Sequence, residues 1–163
     1  MGEQAMGQEA AQTPRLIDLL NEDVVDVKVY AANWIDAIRK AGLLLVNVGS
    51  VEPRYVDAMV RFCEQYKSYI VIAPGIALPH ARPEDGVKRI GISIITLKEP
   101  IYFGHPENDP VDIVIAFGAI DSRSHINILK DLSEFLLDYN NVEAIRKANS
   151  KSDLIKVFHN AIK

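Results

Sequence analysis

Apolar positions recur along this chain with two different periods, and the changes between them mark out its elements. Val25, Val27 and Val29 alternate with Asp26 and Lys28, the two-residue repeat of a half-buried strand over 24–29. Trp34, Ile35, Ile38 and Ala41 then follow at helical spacing, which predicts a helix over 31–41 with Gly42 as its stop. Leu43 to Val48 is a short apolar run that fits either the end of that helix region or a brief strand. Ser50-Val51-Glu52-Pro53 reads as the opening of a second helix. Ser50 is placed to cap it and Pro53 sits in its first turn, while Tyr55, Met59, Phe62, Cys63 and Tyr66 form its apolar stripe.

The period returns to two beyond that helix. Ile70 to Ala73 is a strand candidate running into a Pro74-Gly75 turn, and the β-branched run Arg89 to Leu97 is another, ended by Lys98-Glu99-Pro100. Residues 101–110 read as a loop. Val111 to Phe117 is apolar on both faces, the mark of a central strand in a covered sheet. Asp121-Ser122-Arg123-Ser124 is a turn and cap cluster, followed by an amphipathic helix with Ile126, Leu129, Leu132, Phe135 and Leu136 on one face. Residues 141–148 and 152–162 predict two more helices, and 14–20 a short first one begun near Pro14. Strands alternating with helices predict an α/β fold, a mixed β-sheet sandwiched by helices in a single domain over 14–163, after a flexible leader over 1–13.

Composition narrows the class. A chain of 163 residues, 48% hydrophobic and 25% charged, suits one globular domain with a sizeable core. The net charge of −4 opposes a general role in binding nucleic acid. The most apolar long stretch, 111–120, is interrupted by Asp112 and falls short of the roughly 18–20 residues of a membrane-spanning helix, so no direct membrane insertion is expected. The first 12 residues hold no hydrophobic block of a secretory signal. Cys63 is the one cysteine and reads as a small buried hydrophobe, in keeping with a cytoplasmic protein.

Candidate chemistry centres on histidine. His80 lies in Pro79-His80-Ala81-Arg82-Pro83, where two prolines stiffen the backbone and restrict where an imidazole can point. A neutral imidazole is abundant near pH 7 and can act as a nucleophile. His125 stands at the start of the amphipathic helix, where free backbone N–H groups and the positive end of the helix dipole favour phosphate. Arg82 and Arg123 each lie within three residues of one of these histidines and are candidates for stabilising a phosphoryl group. Arg54 and Arg61 read as solvated residues of the second helix. His105, in a loop of turn residues, and His159, on the terminal helix, read as surface histidines. No histidine pair has the close spacing of a zinc site, and no Walker A, GxGxxG or G-x-S-x-G pattern occurs, so no metal, cofactor or nucleotide site is expected.

Ala73-Pro74-Gly75-Ile76-Ala77-Leu78-Pro79-His80-Ala81-Arg82, the later Pro100-Ile101-Tyr102-Phe103, and Ser124-His125-Ile126 at a helix start together resemble a known family. This is the enzyme IIA component of the sugar phosphotransferase system, of the mannitol/fructose class. The wording from Ala73 to Val87 is most similar to the ascorbate-specific IIA proteins, and Tyr55-Val56-Asp57-Ala58-Met59 fits as well. The resemblance covers nearly the whole chain from about Leu16. It implies a phosphotransferase in which His80 takes phosphate on Nε2 from the phosphorylated histidine phosphocarrier protein (HPr) and gives it to the IIB component. His125 would be the second active-site histidine, holding the phosphate. Mannitol-class relatives carry an arginine on the second helix at a place held here by Phe62, with Arg61 one position earlier. A regulatory IIA-like module, in which phosphorylation of His80 controls a protein partner, is the alternative the resemblance leaves open.

Overall fold

In the computed structural model, which describes residues 14–162, a short helix Leu16–Leu19 (α1) leads through one 3₁₀ turn into strand Val25–Val29 (β1). Two long helices follow, Trp34–Asn47 (α2) and Pro53–Gln65 (α3), then a single turn Lys67–Ile70 (α4). Strands Val71–Ala73 (β2) and Ile76–Ala77 (β3) form a hairpin, and Gly91–Ile101 (β4) and Val111–Gly118 (β5) form the two long strands. Helices Ser122–Leu136 (α5), Tyr139–Lys147 (α6) and Lys151–Ala161 (α7) complete the chain. The leader expected over 1–13 lies outside the described residues.

The five strands make one mixed sheet in the order β1-β4-β5-β3-β2. β4 runs antiparallel to β5, β1 parallel to β4 and β3 parallel to β5. Alternation along β4 and β5 divides the apolar residues between two cores. Ile92, Ile94, Ile113, Ile115 and Phe117 face α1, α5, α6 and α7, and Ile95, Leu97, Val114 and Ala116 face α2 and α3. That two-sided burial is why β5 reads as an unbroken apolar run, and it places β5 at the sheet's centre, as its sequence predicts.

Three local expectations are corrected. Gly42 does not stop α2, which runs on to Asn47; the glycine is buried where α2 crosses α3, and a Cβ there would stand 2.9 Å from Val56 Cγ2. Close helix approach, not chain reversal, explains the residue. Ser50 does not cap α3: Glu52 is the N-cap, and its side chain makes no capping bond to the helix backbone. Ser50 is buried instead, and its carbonyl accepts the N–H groups of Lys88 and Arg89. Finally, Lys98-Glu99-Pro100 does not end β4. The strand passes through these exposed residues with a shift of register and pairs again at Ile101 with Val111, so the proline is tolerated at an irregularity.

Candidate functional site

The site forms where β3 and β5 end. β3 pairs with β5 in parallel register, Ile76 with Ile113 and Ala77 with Val114, and the chain continues alongside β5 past the end of β3, the Phe117 N–H donating to the Pro79 carbonyl at 3.1 Å. Alternation carries Ile76, Leu78 and His80 toward the α5 side of the sheet and Ala77 and Ala81 toward α3. Leu78 packs in the first core and Ala81 against the second, as this parity requires. Pro79 is buried, and His80 is half-buried.

His80 Nδ1 lies 2.9 Å from the Leu78 carbonyl oxygen. A carbonyl can only accept, so Nδ1 carries the proton and Nε2 keeps the lone pair. The ring sits between two others, with Phe62 of α3 at 5.0 Å and His125 of α5 at 6.3 Å between centroids. Phe62, on the apolar stripe of α3, thus packs its ring on the imidazole.

His125 is carried by the first turn of α5. Asp121 caps that helix, its carboxylate accepting the Ser124 N–H at 2.8 Å, and this bond holds the carboxyl below the usual carboxylate range. The His125 ring packs on Phe117 at 5.1 Å and stands nearly edge-on to His80, at 68°. Burial lowers its pKa first, and the neighbouring His80 imidazole, beside which a second positive charge is disfavoured, lowers it further. His125 is therefore held neutral at pH 7, able to donate one hydrogen bond without competing for a proton.

Two shallow clefts meet at His125. One, of about 440 Å³, is lined by both histidines with Tyr69, Ile72, Leu129 and Leu137. The other, of about 540 Å³, lies between Pro83 and Glu84 on one side and Asp121, Ser122 and Ile126 on the other. Several of these apolar side chains are well exposed: Tyr69 at 68%, Ile126 at 62% and Leu137 at 86%.

The structure places the two histidines singled out in the sequence side by side, with ring centroids 6.3 Å apart. Arg82 is exposed and turns onto Asp85 and Glu84, at 3.5 and 3.6 Å, in a loose surface network. The charge of Arg61 acts on the same Asp85, and Arg123, in the first turn of α5, acts on Asp121. His105 is a turn-former, its Nδ1 accepting the N–H groups of Glu107 and Asn108, and His159 is exposed on α7. Cys63 is buried, with its thiol pushed up to about 12 by burial, which makes it a poor nucleophile. Among the described residues no cluster of three or more His, Cys, Asp or Glu could hold a metal, and no helix is long and apolar enough to cross a membrane.

One contributor goes beyond its sequence reading. Tyr55 belongs to the apolar stripe of α3 and is fully buried, yet its hydroxyl donates to the Phe117 carbonyl at 2.7 Å and accepts the Ala81 N–H at 2.9 Å. The available signal is the residue type, since a buried tyrosine in a stripe that would accept phenylalanine usually has a partner for its hydroxyl.

A family model described as phosphoenolpyruvate-dependent sugar phosphotransferase system, EIIA 2, matches residues 18–161. The chain is 40% identical over 141 residues to a protein of Salmonella choleraesuis (strain SC-B67) named ascorbate-specific PTS system EIIA component, covering 84% of this chain and 92% of the relative. It is 38% identical over 143 residues to the Escherichia coli (strain K12) protein of the same name, covering 86% and 93%. Among solved structures, that of the mannitol-specific cryptic phosphotransferase enzyme IIA CmtB from Escherichia coli matches with a TM-score of 0.81 and 30% identity, over 90% of this chain and 99% of the other. A chain in the complex of enzyme IIA-mannitol with phosphorylated enzyme IIB-mannitol from Escherichia coli matches with a TM-score of 0.75 and 28% identity, over 86% and 97%.

Proposed function

The chain belongs to the EIIA type 2 family of the phosphoenolpyruvate-dependent sugar phosphotransferase system, and from that membership we propose that it is a phosphocarrier working through His80. It takes a phosphoryl group from the phosphorylated histidine phosphocarrier protein (HPr) and gives it to the IIB component of its transporter. The names of the relatives support ascorbate as the solute of that transporter, and the solved IIA–IIB complex of a structural neighbour supports IIB as the receiving partner.

The observation that carries this reading is the commitment of His80 Nδ1–H to the Leu78 carbonyl, which leaves the Nε2 lone pair as the nucleophile in a cleft shared with His125. In the proposed step Nε2 attacks phosphorus in line. A new N–P bond forms as the bond from phosphorus to the donor's nitrogen breaks, and that bond's electron pair leaves with the donor. The imidazole becomes cationic, and the Leu78 carbonyl stabilises the proton that stays on Nδ1. His125 donates to a phosphoryl oxygen, the first-turn N–H groups of α5 add their dipole, and Arg82 and Arg123 contribute positive charge from the rim. Onward transfer repeats the displacement with the IIB nucleophile. The exposed Tyr69, Ile72, Ile126 and Leu137 give both partners an apolar rim to dock on in turn.

Incubation with phosphorylated HPr tests the reading. Acid-labile label is expected on the wild-type chain and not on His80→Ala. Label that persists in the variant overturns it.

A further inference from the structure

Two parallel strands exchange a fixed pattern of bonds. A residue on one strand donates its N–H to the carbonyl just before its partner, and its carbonyl accepts the N–H just after that partner. The register of β3 on β5, carried forward from Ile76–Ile113 and Ala77–Val114, makes His80 the partner of Phe117. The first bond of that pair is present, from the Phe117 N–H to the Pro79 carbonyl at 3.1 Å. The second would run from the Ala81 N–H to the Phe117 carbonyl. In its place the Ala81 N–H donates to the Tyr55 hydroxyl at 2.9 Å, and that hydroxyl donates to the Phe117 carbonyl at 2.7 Å.

We propose that Tyr55 is a positioning residue whose hydroxyl is spliced into the β3–β5 ladder at His80, prising the strands apart by one oxygen atom at the point where the imidazole must face His125. One bond of the ladder is thus replaced by two in series. The ladder stays satisfied while the separation grows, so the opening costs no orphaned buried group. The strand that bears His80 diverges from β5 there and leads into the turn at Pro83, while the β5 side continues through Ala119 to the N-cap Asp121 and His125. The ring of Tyr55 is held rigid by burial in α3, so one hydroxyl references both histidine-bearing segments to the same helix. This role rests on the phosphocarrier reading for its catalytic consequence, though not for its geometry.

Tyr55→Phe keeps the ring and removes only the splice. The expected result is a fall of about tenfold or more in the maximal rate of transfer from phosphorylated protein to IIB, since displacement of a reacting group by a fraction of an ångström is costly. The IIB concentration for half-maximal rate should be unchanged, and the ¹⁵N signals of the His80 ring should shift. Phe158→Leu in α7, chosen for a similar loss of melting temperature, should leave rate and ring signals as in wild type. Tyr55→Phe with wild-type rate and ring signals, or with no greater effect than Phe158→Leu, overturns the proposal.

A measurement on the wild-type protein guards against a variant that does not fold. The Tyr55 hydroxyl proton should exchange slowly and show a cross-peak to the Ala81 amide, and the absence of that proton overturns the splice. Should wild-type His80 take no phosphate, the function reading fails, whereas the hydroxyl proton and the ring signals of Tyr55→Phe still decide the role of Tyr55.

Discussion

His125 is a histidine whose surroundings disfavour its charge, and the sign of the consequence can be worked out. Burial and the nearby His80 lower its folded pKa below the ordinary value near 6.5. The unfolded chain therefore binds this proton first. Stability is fully present above about pH 6.5 and is lost as pH falls from there through the folded value. Urea midpoints at pH 7.5 and 5.5 should show this loss in wild type and a smaller one in His125→Asn; equal losses would remove His125 as the cause. In transfer assays, His125→Ala should still accept phosphate on His80 but pass it to IIB more slowly, and undiminished onward transfer would take His125 out of the mechanism. At this scale the sequence is most readable where chemistry is local. The two prolines around His80 and the cap cluster before His125 announce stiffly mounted side chains. The packing of Phe62 on His80 and the two hydrogen bonds of the Tyr55 hydroxyl depend on segments distant in the chain, so no local pattern carries them.

Elements depart from their sequence signals where tertiary contact outweighs local preference. Gly42 is a poor helix residue, by about 1 kcal/mol relative to alanine, yet α2 passes through it because α3 comes within contact. In Gly42→Ala the new methyl would meet Val56 Cγ2 at 2.9 Å and Met59 Cε at 3.0 Å. The methionine can move, but the β-branched valine is stiff, so the roughly 1–3 kcal/mol of overpacking should exceed the propensity gain. A lower melting temperature is expected, and a higher one would show that the interface yields easily. The short α1 is held by the other face. Asp131 of α5 is buried and accepts from Arg15 Nε at 2.8 Å, Arg15 Nη2 at 2.6 Å and the Leu16 N–H at 3.0 Å. The Arg15 bond keeps its carboxyl below the usual carboxylate range, so its contribution is present above about pH 4 and lost as pH falls through the folded value. Asp131→Ala should cost about 2 kcal/mol in urea unfolding at pH 7. A cost under a few tenths would mean that α1 docks by apolar contact alone. Alternation foretells most strands, but the two residues of β3 are too few to show a period, though they deliver His80.

The molecule as a whole brings the segment that follows β3 and the first turn of α5 to one edge. A sheet covered on both faces is rigid at its centre and leaves its chemistry to strand ends and the helix starts beyond them. The mixed α/β architecture and its central strand are legible because burial on both faces leaves a long apolar signature in β5. The order of strands is not, because β1 and β3 both join by parallel pairing across long connections that no adjacent residues record. What the fold achieves is a single imidazole with one nitrogen tied down and the other open, beside a neutral partner and an apolar rim. That arrangement suits a relay that must accept and release the same group without holding it tightly. The most direct measurement is ³¹P and ¹⁵N NMR of the ¹⁵N-labelled chain after phosphorylation by HPr. The account predicts one phosphohistidine with ¹⁵N–³¹P coupling to His80 Nε2, the Nδ1 proton retained, and no phosphate on His125. Phosphate bonded to Nδ1 of His80, or to His125, would contradict it.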